Sequence, residues 1–307
     1  MSTIGVDVGG TKVLGVVADT AGTVLAEHRV PTPLGGDAVV DAMVAVIEEL
    51  RTGHEVTAIG VGVPGLVDRD GTLRFAPNLP GVLELPVGAL LASATGLPVR
   101  VDNDNTCALW GEHLLGAARD VSDAVLVGLG TGIGGGLLLD GRLVRGAHGF
   151  AGEIGHMVVA RGGIECVCGR RGCWERYASG SALGRMGRES AAARIVALAG
   201  GDVEQVRGEH VTIAAIEGDA DALAVFDEFA DWFAVGLVNL VQVLDVERCV
   251  IAGGVVEAGE VLIDAVRRAF AARIVAPEHR PAVDIVGAEL GERTGAVGAA
   301  ILASAVS

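Results

Sequence analysis

Two stretches roughly 120 residues apart follow one plan, and that duplication constrains the fold more than any other feature of the chain. In the first, the apolar runs around Ile4–Val8 and Val13–Ala18 flank the turn Gly9-Gly10-Thr11-Lys12, and Ala21-Gly22 turns the chain again into Thr23-Val-Leu. In the second, Val125–Leu129 leads into Gly130-Thr131-Gly132, then Ile133–Leu139, then Asp140-Gly141 and Arg-Leu-Val. Each reads as a three-strand meander: strand, Gly-Thr turn, strand, tight turn, strand. A unit carried twice predicts two similar halves.

The segments around the meanders alternate helix and strand. Val39, Val40, Met43, Val44, Ile47 and Leu50 recur at helical spacing, and Ala58–Val63 is a buried strand ending at Pro64-Gly65. Pro98–Val101 is a short strand that runs into Asp102-Asn103-Asp104-Asn105, with Thr106–Leu115 helical after it. A longer amphipathic helix passes through Leu223, Phe226, Phe229, Phe233, Leu237 and Leu240. It is followed by the strand Cys249–Ala252 with its Gly253-Gly254 turn, and Ala296–Ala303 forms a last apolar helix. The expectation is an α/β protein of two mixed lobes with a cleft between them. Arg188–His210, where Gly, Ala and charges show little periodicity, is expected to be a mobile surface loop.

At 307 residues with half of them apolar, the chain can bury a real core; only 3% are aromatic, so aliphatic side chains and 47 glycines must fill it. The net charge is −16, and the basic residues are 22 arginines and one lysine, Lys12, without a phosphate-tracking stripe. That disfavours nucleic acid as a partner. No apolar run reaches bilayer-spanning length, and Met1-Ser-Thr leads directly into a strand with no room for a signal peptide, so a cytoplasmic location without membrane association is expected. Three of five cysteines lie within eight positions, which suits metal better than disulfides.

Glycine lets backbone N–H groups close on an anion, and a run of inward N–H groups forms a phosphate nest. Neither Gly-Thr turn has P-loop spacing or opens a long helix, so neither is a P-loop or a Rossmann fingerprint. One such hairpin is equally a plain turn; two copies, one carrying Asp7 and Lys12, favour nucleotide phosphate. Asp7 is placed to orient Mg²⁺, or else to satisfy turn N–H groups. Cys166-Val-Cys168-Gly169-Arg-Arg-Gly172-Cys173 with His156 upstream offers four ligands for a closed, structural Zn²⁺ site, the alternative being buried free thiols. Glu153 and Glu175 flank that cluster. The four polar residues Asp102–Asn105 suit a hydroxyl-rich metabolite, since helix capping uses only one or two of them. Asn78, in Pro77-Asn-Leu-Pro-Gly81, is a further contact or a turn residue.

Taken in order, these motifs resemble the ROK family of repressors, open reading frames and sugar kinases, and within it the bacterial ATP-dependent glucokinases. Asp7-Val-Gly-Gly-Thr-Lys12 looks like the family's first phosphate motif and Leu129–Gly136 like its second. Gly152-Glu-Ile-Gly-His156 and Cys166-x-Cys168-Gly-x-x-Gly-Cys173-x-Glu175 look like its sugar and zinc signatures. The resemblance implies a two-lobed, actin-like fold of duplicated ribonuclease H type. The small lobe is expected over 1–113 with the helix from about 294 to 307, and the large lobe over 114–293. It implies phosphorylation of glucose at the 6-hydroxyl by Mg-ATP, with another hexose or a non-catalytic sugar sensor as alternatives.

By the same resemblance Asp104 is the catalytic base, which the helix start is expected to keep ionised. Asn78, Asn103, Asp104, Glu153, His156 and Glu175 contact sugar. Asp7, Gly9, Gly10, Thr11, Lys12, Gly130, Thr131, Gly132, Gly134, Gly253 and Gly254 serve the nucleotide, and His156, Cys166, Cys168 and Cys173 hold zinc. A homo-oligomer, dimer or tetramer, is implied. One departure is Asn105-Thr106, where many relatives have Ala-Asn. DNA-binding members carry an N-terminal helix-turn-helix domain; with the first phosphate motif at residue 7, none is expected here.

Overall fold

The computed structural model describes residues 2–304. The chain divides into two compact units, Met1–Val121 with Gly136–Gly152 and Glu289–Ser307, and Ser122–Gly135 with Glu153–Ala288.

In the first unit, β1 (Ser2–Val8), β2 (Lys12–Asp19) and β3 (Val24–Pro31) form the antiparallel meander read from the first repeat. Helix α1 (Gly36–Arg51) buries Val39, Met43, Val46, Ile47 and Leu50, the stripe that its periodicity dictates. β4 (Val56–Val63) then runs parallel to β1. Three short strands that no sequence pattern disclosed, β5 (Leu66–Val67), β6 (Leu73–Phe75) and β7 (Leu83–Leu85), pair as a small antiparallel sheet. Helix α2 (Val87–Thr95) ends at Gly96, whose φ of 70° is the left-handed conformation a helix C-terminus favours. β8 (Val99–Asn103) lies parallel to β4 and passes directly into α3 (Asp104–Leu115). The sheet order is β3-β2-β1-β4-β8.

The second repeat gives β9 (Ala124–Leu129), β10 (Ile133–Leu139) and β11 (Arg142–Leu143). From Gly136 onward β10 clusters with the first unit: a Cβ at Gly136 would lie 2.6 Å from the Asn105 carbonyl oxygen and 2.8 Å from Leu109 Cβ. The second unit continues with α4 (Glu175–Ala178), α5 (Gly180–Ser190), α6 (Ala193–Leu198), α7 (Gly208–Ile216) and α8 (Ala220–Leu244). β12 (Arg248–Ala252), α9 (Glu260–Ala271) and β13 (Asp284–Gly287) complete it. β12 is parallel to both β9 and β13, and the order β11-β10-β9-β12-β13 repeats that of the first sheet. The duplication is therefore a duplication of topology.

The last helix, α10 (Thr294–Ser304), packs on the first sheet and on α3. A Cβ at Gly5 would sit 1.8 Å from the Ala296 carbonyl oxygen, and one at Gly60 equally close to that of Ala299. Only glycine lets the helix backbone lie this near the strands.

One expectation is corrected. Arg188–His210 is ordered as the end of α5, all of α6 and the start of α7, not an open loop. Ile195 and Val206 are fully buried, and Arg188 Nη1 donates to the Val206 carbonyl at 2.6 Å. A helix of six residues held by one buried apolar side chain is too short to show a period. Among the described residues no helix is long and apolar enough to cross a membrane.

Candidate active site

The first unit presents two carboxylates, Asp7 and Asp104. Asp7 lies near the end of β1, opposite Leu14 of β2. A Cβ at Gly295 would stand 2.7 Å from its carboxyl carbon, so α10 starts almost on top of it. Asp104 is the first residue of α3. Asn103 caps that helix, its side-chain oxygen accepting from Asn105 N at 2.9 Å and Thr106 N at 3.2 Å, while its amide donates to the Gly65 carbonyl. Asp104 Oδ1 accepts from the backbone N–H and side-chain amide of Asn105, at 2.9 and 2.8 Å. Asp102 is engaged otherwise, with Oδ2 accepting from Arg145 Nε at 2.6 Å. Of the four polar residues at this junction, one caps, one pairs with arginine, and Asp104 and Asn105 bind each other.

The two carboxylates repel. Burial first, then the Asp104 charge, lifts Asp7 to about 7 against the pull of Lys12. Burial also raises Asp104, and the hydrogen bonds from Asn105 and Asn103 recover only part of the shift. Desolvation thus acts against the helix start, which is expected to keep Asp104 ionised, and leaves its proton affinity above the ordinary carboxylate value.

The turn after β1 closes with Gly9 N donating to the Lys12 carbonyl at 2.8 Å, and Thr32 Oγ1 ties back to the Gly9 carbonyl at 2.6 Å. This closure leaves the Gly10 and Thr11 amides outside the turn's own hydrogen bond, as a phosphate nest requires. Lys12 Nζ meets Glu292 at 2.8 Å in a solvent-exposed pair that a stronger anion can displace at little cost. Asn78 is exposed, and its carbonyl oxygen lies against Gly10. It therefore borders the first phosphate turn.

In the second unit, Gly130 N donates to Gly132 O at 3.1 Å, and the Gly130 carbonyl accepts from Gly180 N, at the start of α5, at 2.9 Å. A Cβ at Gly132 would be 2.5 Å from Glu175 Oε2, and one at Gly253 2.4 Å from the Leu129 carbonyl oxygen. The second Gly-Thr turn, Glu175, the Gly253 turn and the N-terminus of α5 thus meet in one place. Sequence reading missed α5; its signal was Ser179, whose Oγ accepts from Ala182 N as an N-cap. Thr131 and Gly134 lie on the same turn and the strand that leaves it.

His156, Cys166, Cys168 and Cys173 place their ligand atoms within 4.8 Å of one another. Tetrahedral bonds of about 2.3 Å put neighbouring sulfurs roughly 3.8 Å apart. Cys168 and Cys173 Sγ lie 3.6 Å apart, and Cys166 Sγ is 3.8 Å from His156 Nδ1. The donor set fits a closed site. Burial acts to raise Cys168, yet hydrogen bonds involving Arg170, Cys166 and Cys173 bring it down to about 7, while Cys166 and Cys173 are pushed up. Cys107 and Cys249 are buried elsewhere, Cys249 pushed up to about 12 by desolvation.

His156 has two faces. Nδ1 points to Cys166 and, at 3.7 Å, to Glu175 Oε1; Nε2 is 3.8 Å from Glu153 Oε2. The same residues that gather the thiols thus aim two carboxylates. The loop is anchored by Trp174, fully buried, stacked on Phe233 of α8 at 5.2 Å and donating from Nε1 to the Trp232 carbonyl. Gly236 makes room for it: a Cβ there would be 2.0 Å from the indole.

Comparison with known proteins places the chain. The glucokinase of Streptomyces coelicolor is 39% identical over 308 residues, covering 98% of this chain and 97% of that protein. The glucokinase of Thermotoga maritima is 35% identical, with 97% and 95% covered. A solved structure of a ROK family glucokinase from Streptomyces griseus, in complex with glucose and AMPPNP, superposes with a TM-score of 0.92 at 39% identity, covering 99% of this chain and all of that one. The fold is therefore that of the two-lobed, actin-like ROK sugar kinases. With the ROK family model matching residues 3–306, the chain belongs to the ROK family.

Proposed function

We propose that this protein transfers the γ-phosphoryl group of ATP to the 6-hydroxyl of glucose, giving glucose 6-phosphate and ADP. The observation that carries the reading is the likeness, over the whole chain, to a glucokinase solved with glucose and AMPPNP. The carboxylate pair Asp7 and Asp104 beside a glycine turn supports it with chemistry.

A primary hydroxyl is a poor nucleophile, so a positioned base that takes its proton as the bond to phosphorus forms raises the rate. Asp104 would be that base. Its raised affinity for a proton makes it the better acceptor late in the transfer. Asn78, Asn103, Glu153, His156 and Glu175 would contact sugar hydroxyls. Gly9, Gly10, Thr11 and Lys12, with Gly130, Thr131, Gly132 and Gly134, would hold the phosphates, and Gly253 and Gly254 the adenosine side. Asp7 would hold Mg²⁺, directly or through water; a carboxylate lifted to about 7 exchanges its proton for a divalent cation at little cost. Bound there, the cation would neutralise charge on the transferring phosphoryl group.

His156, Cys166, Cys168 and Cys173 would hold Zn²⁺ as a structural ion that fixes Glu153 and Glu175 in place. The small lobe would comprise residues 1–113 with the last helix, the large lobe 114–293, and the enzyme would work in the cytoplasm as a dimer or tetramer.

The test is ADP release from a panel of glucose, fructose, allose and N-acetylhexosamines with ATP, with and without Mg²⁺. Glucose should exceed every other sugar by at least roughly 10-fold in kcat/KM. A higher value for another hexose, or glucose binding without ADP release, overturns the reading.

A further inference from the structure

A cavity of about 900 Å³ opens within the first unit, with no residue of the Gly9–Lys12 turn in its lining, and four arginines line it: Arg69, Arg100, Arg142 and Arg145. In a chain of net charge −16 such a gathering is unusual. Three carboxylates share the lining, but two are committed, Asp68 to Arg74 outside the cavity lining and Asp102 to Arg145. Among the described residues Arg69 donates only to the Gly146 carbonyl. Among the described residues the guanidinium groups of Arg100 and Arg142 have no hydrogen-bond or ion-pair partner. Arg145 uses Nε on Asp102 while its Nη2 is buried with no partner at all. Buried donors in proteins are almost always satisfied, so the unused Nη2 shows that Asp102 does not saturate the Arg145 fork.

We propose that this cavity binds a phosphate monoester and that its occupation is felt at Asp104. The charge is right: Arg69, Arg100 and Arg142 face one uncommitted carboxylate, Asp70, and a phosphate monoester brings close to two negative charges near neutral pH. The geometry is right as well, because planar guanidinium forks match phosphate oxygens in pairs. The volume exceeds what a lone anion needs and admits the organic group that a monoester carries.

The link to the site runs through one residue. Asp102 joins Arg145 at one oxygen and accepts from Asn103 N at 3.0 Å with the other. Asn103 caps α3, and Asp104 begins it. A ligand oxygen that competes with Asp102 for the Arg145 fork loosens the end of β8, and with it the helix start that positions Asp104.

The experiment is isothermal calorimetry on the intact protein saturated with glucose and AMPPNP, so that the proposed substrate sites are filled. Inorganic phosphate, glucose 6-phosphate and AMP are the three probes, and they distinguish a bare anion from a sugar or nucleoside ester. The expected result is saturable one-to-one binding of at least one ester, weakened at least 10-fold in the double variant R100A/R142A. That variant should keep its thermal midpoint and its kcat for glucose phosphorylation. The bound ester should lower kcat in the parent and not in the variant. No saturable heat from any probe, or equal affinity in the double variant, overturns the site. Binding without change in kcat overturns the link to Asp104. Because calorimetry reads no turnover, failure here is separable from failure of the proposed reaction.

Discussion

Glu112 is a fully buried carboxylate in α3, and substituting it tests how the first unit holds its C-terminal helix. Oε2 accepts from Ala117 N at 2.7 Å and Glu289 N at 3.1 Å; Oε1 accepts from Leu290 N at 2.9 Å and Thr294 Oγ1 at 3.2 Å. In E112Q an NH₂ group must replace one oxygen. On the Oε2 side it would face two backbone donors. On the Oε1 side it faces one N–H and a hydroxyl that can turn to accept, so the amide settles there and Leu290 N–H loses its acceptor. One orphaned buried donor, with the charge assistance gone from the remaining bonds, costs about 2–4 kcal/mol. E112A takes the carboxylate acceptor from three backbone donors and costs about 3–6 kcal/mol. Urea unfolding followed by circular dichroism measures both, and for E112Q the thermal midpoint should fall by roughly 3–6 °C. An E112Q protein within about 0.5 kcal/mol of its parent would refute the reasoning, because it would mean that those N–H groups find other partners.

Replacing Cys168 by serine should remove one equivalent of zinc by elemental analysis and expose Trp174 to quenchers, since the loop it anchors then loses its cross-link. Unchanged zinc content would contradict that. Asp7 supplies a pH dependence. Its folded-state value, about 7, lies above the unfolded one, so the folded form binds a proton that the unfolded form lacks between about 4 and 7. Without divalent cation, stability from this group is full below about 4 and is lost as pH rises through 7; D7N should flatten that slope, and an identical slope would discount the shift. The apparent KM for Mg²⁺ should fall as pH rises through the same window.

Much of this was legible before any coordinates. Ile4–Val8, Gly9–Lys12 and the second Gly-Thr turn announced the duplicated meander because strand and turn chemistry is local. The stripe Val39–Leu50 announced α1 for the same reason. The thiol cluster was equally plain, since Cys166, Cys168 and Cys173 lie in one short loop with His156 close by.

What escaped was non-local. Glu112 gave no hint of its partners at 289, 290 and 294, nor Gly236 of the indole resting on it. Arg145 and Asp102 are 43 residues apart, and nothing in either neighbourhood foretells their pairing. The segment 188–210 misled because α6 is a short helix whose core contact is one isoleucine. The upward shift of Asp104 was not legible either: a helix start is visible in sequence, whereas burial beside Asp7 depends on how β1 and α3 come together.

The measurement that bears most directly on the account is steady-state turnover of D104N with glucose and Mg-ATP, alongside glucose binding by calorimetry. Asparagine keeps the shape and can still accept from Asn105, but it cannot take the hydroxyl proton. The account predicts a kcat lower by at least ~10²-fold with glucose affinity nearly unchanged. A kcat within a few-fold of the parent would contradict the assignment of Asp104 as base and, with it, the mechanism built on that residue.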